Sequence, residues 1–157
     1  MSDLESEEFR WRDTYFVWFA EDRKPTLAQL QGALAALPGH FELQDQAVDE
    51  AGTFESLTVV SRADNVALEI TMLTGDDIRQ QAETLAEEMK QAGEGDVRRL
   101  GKLACCDARF DVMQFDRVAD EEADDDEFDP STLLSVLGAL ARLVDGISVD
   151  PQSGLIV

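Results

Sequence analysis

Residues 56–73 read SLTVVSRADNVALEITML, and they are the strongest indication of the fold class. The two halves, 56–61 and 66–73, are rich in the β-branched and aliphatic residues that favour strands. The link between them, 62–65, is short enough for a hairpin, which joins two neighbouring antiparallel strands. The sequence therefore predicts an antiparallel sheet that contains this pair.

Upstream of this pair, the sequence predicts a strand, a helix and a second strand. Residues 14–20, TYFVWFA, are almost continuously apolar and aromatic, which is typical of a central strand. Thr26 is a suitable N-cap for a helix whose leucines recur at spacings of three and four until Pro38-Gly39. A weaker alternation predicts a strand over 41–48.

Downstream, the pattern predicts a helix and further strand. The helix begins at Thr74, which stands three residues before Asp77 in a variant of the capping box, and Gly93 ends it. Residues 99–118 are predicted as strand. They form either one long strand or two short strands broken near Asp107.

The last part of the chain predicts a third helix, between Asp129-Pro130 and Gly146, and a terminal hairpin of 147–149 with 155–157. The resulting order is β-α-β-β-β-α-β(β)-α-β, a variant of the ferredoxin-like arrangement. It indicates an α+β domain with a single, largely antiparallel sheet and helices packed on one face. The first strand, helix and second strand are expected to form a right-handed crossover.

The charge of the chain is strongly negative. Its 157 residues have the length of one domain, predicted over 14–157, with 1–13 as an acidic tail and 119–129 as an acidic loop. The 34 Asp and Glu against 13 Lys and Arg give a formal charge of −21. This charge repels phosphates and anionic lipid headgroups, so neither nucleic acid nor a membrane is an expected partner. It favours a basic protein surface, cations or plain solubility.

Location is predicted from what the sequence lacks. No apolar run approaches the ~20 residues of a membrane span, and the first residues lack the layout of a secretory signal. The two cysteines, Cys105 and Cys106, are adjacent, which does not suit a disulfide framework. We therefore expect a cytoplasmic protein.

The sequence predicts no catalytic residue, cofactor or metal site. The acidic loop lacks the spacing of an EF-hand, and a solvated loop, a partner contact and a Ca²⁺ site all stay open for it. On a strand, Cys105 and Cys106 would point to opposite faces, so one is expected to be buried. His40 follows a turn and is expected at the surface. Glu69 is the best candidate for acid–base chemistry, and we expect it to face outward.

Aromatic residues concentrate near the beginning of the chain. Alternation along the strand over 14–20 places Tyr15 on one face and Trp18 on the other. If helices cover only one face, large aromatics on the other face would mark an interaction surface, whereas the alternative is ordinary core on both faces. The predicted partner surface consists of Trp11, Tyr15, Trp18, Asp124, Asp125 and Asp126.

Two resemblances come from the later part of the chain. Residues 108–112 (ARFDV), the leucine-rich helix after Asp129-Pro130, and residues 146–154 (GISVDPQSG) resemble a pattern of small acidic bacterial proteins. Some of those proteins resemble immunity proteins of toxin systems, which implies inhibition by binding. The element order over 26–144 is similar to that of acidic secretion chaperones. That likeness implies a homodimer that holds a partner chain, with an α/β sandwich as the alternative fold.

These observations predict a non-enzymatic protein-binding module that uses an acidic surface. The partner is a protein, which would be basic, or a second copy of the chain. Two alternatives stay open: a carboxylate-based enzyme, with or without a divalent metal, and an acidic chaperone-like homodimer.

Overall fold

The computed structural model describes residues 9–62, 65–117 and 131–157. These residues form one antiparallel sheet of seven strands together with four α-helices, which confirms the α+β class with a single antiparallel sheet. The strands are β1 (Phe9–Phe19), β2 (Glu42–Val48), β3 (Phe54–Ser61), β4 (Val66–Thr74), β5 (Ala108–Arg117), β6 (Ile147–Asp150) and β7 (Leu155–Ile156). The helices are α1 (Leu27–Ala35), α2 (Asp76–Gln91), α3 (Val97–Ala104) and α4 (Ser131–Val144).

The strands lie in the order β2-β3-β4-β5-β1-β6-β7. The predicted β3–β4 pair is present, with Leu57 opposite Ile70. Strand β1 pairs with β5 on one side and β6 on the other, so its apolar sequence lies inside the sheet. Strand β2 forms one edge. Its pairing with β3 is irregular between Gln44 and Ala47 and again between Ala47 and Val48. Asp45 lies in the first of these irregular stretches and has a φ of 51°.

Helices cover both faces of the sheet, so the prediction that they pack on one face is wrong. On the first face, α1 and α4 pack over Val17 and Phe19. On the second face, α2 and α3 pack over Trp18, with Phe16 beside it. The reason lies in β1, whose apolar side chains alternate between the two faces and need cover on each.

Phe110 lies at the centre of the core on the first face. Its ring centre is 4.7 Å from that of Phe19 and 5.9 Å from that of Phe54. Leu30 of α1 and Leu140 of α4 are buried in the same cluster. Aromatic side chains from three strands therefore meet at Phe110, within a core that α1 and α4 complete.

The segment 99–118 differs from its prediction, because its first part is helix α3 and only β5 is strand. The Asp96 side chain accepts a hydrogen bond from the Arg99 backbone N–H at 2.7 Å, which caps the helix. Leu100 and Leu103, three residues apart, then face the core of the second face. The cap and this spacing favour a helix over the predicted strand.

The last part of the predicted acidic tail, residues 9–13, is not a tail. Strand β1 begins at Phe9, and Trp11 pairs with Phe115 before a bulge that precedes Asp13. Residues 9–13 therefore belong to the sheet. Residues 1–8 and the predicted acidic loop, 119–129, lie outside the described residues.

Gly146 provides a test of packing at the end of α4. A Cβ atom on Gly146 would lie 2.6 Å from the Trp18 carbonyl oxygen, because the helix end approaches the β1 backbone closely. We therefore expect Gly146→Ala to lower the free energy of unfolding by about 2 kcal/mol, measured by urea denaturation. The matched control is Gly32→Ala in α1, where the added Cβ meets nothing within 4 Å. That change should raise stability by about 0.5–1 kcal/mol, and equal effects of the two substitutions would contradict the prediction.

Candidate functional site

The aromatic residues of the predicted partner surface do not lie together at the surface of the protein. Trp18 is only 2% exposed and belongs to the core of the second face, which removes it from any surface. Tyr15 is half-buried against the core of the first face. Burial, followed by the negative charges of Asp13 and Asp150, raises the pKa of Tyr15. Trp11 is 52% exposed, and Asp124, Asp125 and Asp126 lie outside the described residues.

A buried arginine takes the place of that surface as the most unusual polar group. Arg109 of β5 is 7% exposed, and its Nε donates to Asp111 Oδ1 at 2.5 Å. Its Nη1 donates to Gln81 Oε1 of α2 at 2.7 Å. Its Cζ lies 4.1 Å from the ring centre of Phe16 and 5.0 Å from that of Trp18. The guanidinium thus joins the sheet to α2 and lies over two aromatic rings.

This arrangement satisfies a cation that would be costly to bury alone. The two oxygens of Asp111 both accept from Arg109, and such forked pairs are strong because both groups are charged and planar. Trp18 Nε1 is buried without an acceptor among the described residues, and Trp18 interacts with Arg109 through the face of its ring. A sequence signal existed. Arg109 and Asp111 are two residues apart in a segment predicted as strand, which places them on one face.

A shallow and largely open depression of about 440 Å³, the α2 groove, runs along one face of α2, and all the residues that line it belong to that helix. Its ends carry the carboxylates of Asp77 and Glu88, which are eleven residues apart, or about 16 Å along the helix axis. Between them lie amide and hydroxyl side chains and one half-buried leucine: Gln80, Gln81, Thr84 and Leu85. Gln81 is the residue that accepts from Arg109, so this face of α2 is tied to the sheet.

Helix α2 carries a negative field around this groove. Its exposed residues include five acids, whereas its bases are Arg79 and Lys90. Arg79 forms an exposed ion pair with Glu83, with 3.5 Å between Nε and Oε1. The five acids are Asp76, Asp77, Glu83, Glu87 and Glu88.

The predicted reactive residues do not gather at this groove. One cysteine is exposed and one is buried, as predicted, although they follow α3 instead of lying on a strand. Burial raises the pKa of Cys106 to about 12, and its Sγ donates to the Lys102 carbonyl oxygen at 3.3 Å. His40 is exposed, as expected, and Glu69 is half-buried on β4. Within the described ranges, no three His, Cys, Asp or Glu residues are placed to hold a metal ion.

Two further results bear on the class of protein. Among the residues that the structure describes, no helix is both long and apolar enough to cross a bilayer. Comparison with protein-family models, with curated proteins and with solved structures finds no match to this chain.

Proposed function

We propose that this protein is a non-enzymatic binding protein that takes a basic segment of a partner protein into the acidic groove of α2. The observation that carries the proposal is the order of side chains along the groove. Carboxylates stand at both ends, and amides and an apolar side chain lie between them. A cationic side chain at each end and an apolar residue in the middle would complement this order.

The spacing of the two carboxylates limits the shape of the partner segment. A separation of about 16 Å corresponds to about five residues of extended chain or eleven residues of helix. Gln80 offers both donors and an acceptor to groups of the partner between the two ends, and Gln81 offers its amide NH₂ as a donor because its Oε1 accepts from Arg109. Leu85 gives the partner one apolar contact.

The charge of the whole chain supports the same partner. A formal charge of −21 attracts a basic protein over about one Debye length, which raises the association rate and makes binding sensitive to salt. Two features hold α2, and with it the groove, against the sheet. Ile78, Ala82 and Met89 are buried beneath α2, and Arg109 binds Gln81 from the sheet.

Neutralising the groove is expected to weaken binding more than neutralising acids elsewhere. We predict that Asp77→Asn with Glu88→Gln weakens binding about fivefold, since each exposed ion pair contributes up to about 1 kcal/mol. The control variant, Glu50→Gln with Glu55→Gln, changes the net charge equally at two exposed acids that do not line the groove. It should change affinity by less than about twofold at physiological salt.

The measurement uses calorimetric titration with two synthetic helical peptides of equal charge. One peptide has lysines eleven residues apart with a leucine midway, and the other has its lysines four residues apart. We expect the first peptide to bind more tightly, and the difference to vanish in the groove variant. Equal affinity for the two peptides, or equal losses in both protein variants, would contradict the proposal.

A further inference from the structure

Strand β1 extends beyond the strand that pairs with it on one side. Its pairing with β5 runs along its whole length, from Phe9 to Phe19. Its pairing with β6 covers only residues 16–18, because β6 ends at Asp150 and the chain turns there. Within 9–62, 65–117 and 131–157, no strand pairs with residues 9–14 on the β6 side, and we call these residues the β1 overhang. The overhang spans about 20 Å of extended chain.

The hydrogen bonds of β6 indicate which backbone groups of the overhang point outward. The Val157 N–H donates to the Ser148 carbonyl oxygen at 2.9 Å, so the backbone groups of Ser148 are directed toward β7. Successive residues of an antiparallel strand alternate in this direction, so Val149 is directed toward β1, where it pairs with Phe16. By the same alternation along β1, the N–H and C=O of Thr14 are directed to the β6 side, beyond the end of β6.

Trp11 lies beside these outward backbone groups. A bulge between Trp11 and Asp13 changes the alternation of β1 at this point. The β5 residues opposite Trp11 and Thr14 are two positions apart, so Trp11 and Thr14 lie on the same face of the sheet. Trp11 Nε1 donates to Thr14 Oγ1 at 3.0 Å, and the Trp11 side chain remains 52% exposed. An apolar side chain of an added strand would pack against this ring.

Carboxylates lie on the other face at the same end of β1. Asp13 shares that face with Tyr15, since the two residues are two positions apart after the bulge. Burial and then the charges of Asp13 and Asp150 raise the pKa of Tyr15, which indicates that both carboxylates lie near its phenol. Arg12 offsets this charge only in part, because its Nη1 lies 2.8 Å from Asp116 Oδ2 and its Nε 4.0 Å from Asp13 Oδ2. A basic side chain of an added strand would therefore meet two carboxylates.

We propose that the β1 overhang binds an extended segment of a partner protein as an additional strand, with apolar side chains over Trp11 and basic side chains beside Asp13 and Asp150. In this mode of recognition the backbone supplies affinity and the alternate side chains supply specificity. The added strand is antiparallel to β1, as are all strand pairs of the described sheet. The overhang shares no residue with the α2 groove, so this inference does not depend on the function proposed for that groove.

The test uses a capped peptide of alternating lysine and valine, about as long as the overhang, titrated by calorimetry. Two further peptides have the same side chains, but one carries N-methyl groups on the valine amides and the other on the lysine amides. In an antiparallel pair, the residue opposite Thr14 shares its face and directs its own N–H toward it, so the valine N–H groups form the new hydrogen bonds. The valine-methylated peptide should bind at least about tenfold more weakly than the lysine-methylated one. Equal affinities, the reverse order, or no saturable binding of the unmethylated peptide overturns the proposal.

Two pairs of variants locate the peptide. Trp11→Ser should weaken binding about fivefold, whereas Val48→Ser, at the opposite edge of the sheet, should change it little. Asp13→Asn should weaken binding about threefold, whereas Glu55→Gln, the same change in charge at an exposed acid outside the overhang, should change it little. Thermal unfolding of each variant checks that the fold is kept. Equal effects within either pair would show that the peptide does not lie along the overhang.

Two controls separate this surface from other sites and occupants. The groove variant, Asp77→Asn with Glu88→Gln, should keep the difference between the two methylated peptides, and loss of that difference would move the peptide to the α2 groove and overturn the proposal. The other occupant of the overhang is a second copy of the chain, which is disfavoured because two molecules of charge −21 repel each other. Light scattering should show a monomer, and a dimer that dissociates on Trp11→Ser would assign the overhang to a second copy instead.

Discussion

Replacing Phe110 with alanine is expected to lower the free energy of unfolding by about 3–5 kcal/mol. Phe110 is fully buried, and its ring contacts those of Phe19 and Phe54. Its removal would leave a cavity where strands β1, β3 and β5 meet beneath α1 and α4, and a close-packed core fills such a space only in part. This loss is a large fraction of the stability of an ordinary domain. Urea denaturation monitored by circular dichroism measures it.

Two control substitutions separate lost packing from a general effect of mutation. Phe110→Leu keeps most of the buried volume, and we expect it to cost about 1–2 kcal/mol. Trp11→Ala removes a larger aromatic side chain that is 52% exposed, and it should cost less than about 1 kcal/mol. A loss from Phe110→Ala no greater than the loss from Trp11→Ala would contradict the position of Phe110 in the core.

Replacing Arg109 with alanine is expected to cost about 3 kcal/mol. The substitution leaves the Asp111 carboxylate, which is 24% exposed, without its forked partner, and it removes a cation from the faces of Phe16 and Trp18. It also frees Gln81 of α2. Chemical denaturation measures the loss, and Arg109→Lys should recover only a small part of it because an ammonium cannot form the fork.

The matched control for Arg109 is Arg79, which also pairs with one acid but at the surface. Its side chain is 64% exposed and pairs with Glu83 along α2. Arg79→Ala should therefore cost less than about 1 kcal/mol. A double-mutant cycle between Arg109→Ala and Asp111→Ala should give a coupling energy of at least about 1 kcal/mol, and additive effects would show that the pair contributes little.

Local signals were sufficient for most of the fold. The β3–β4 hairpin needs only alternation and a short link, and α1 needs only its cap. The Thr26 side chain accepts a hydrogen bond from the Gln29 backbone N–H, and the Gln29 side chain accepts one from the Thr26 backbone N–H.

One local prediction and one terminal prediction had opposite outcomes. The predicted capping pair at Thr74 and Asp77 is wrong, because α2 begins after Gly75 without a side-chain cap. The terminal hairpin is confirmed as β6 with β7.

The errors arise where long-range packing outweighs local pattern. Whether Trp18 is core or surface depends on α2, which is more than fifty residues later in the chain and packs on the second face. Residues 99–104 are too few to show a clear helical period, so the local signals for α3 were the Asp96 cap and the three-residue spacing of Leu100 and Leu103. The Arg109–Gln81 bond joins residues that are 28 positions apart, and no motif could reveal it.

The two outermost strands of the sheet, β2 and β7, are poor templates for cross-β growth. A strand of another chain could add only where an edge offers a regular row of free backbone groups. At one edge, the pairing of β2 is interrupted by register shifts near Asp45, whose φ is positive. Strand β2 also carries the acidic side chains of Glu42 and Asp45. At the other edge, β7 is two residues long. A strand of another chain would therefore find little regular backbone to pair with at either outermost strand of this seven-stranded sheet.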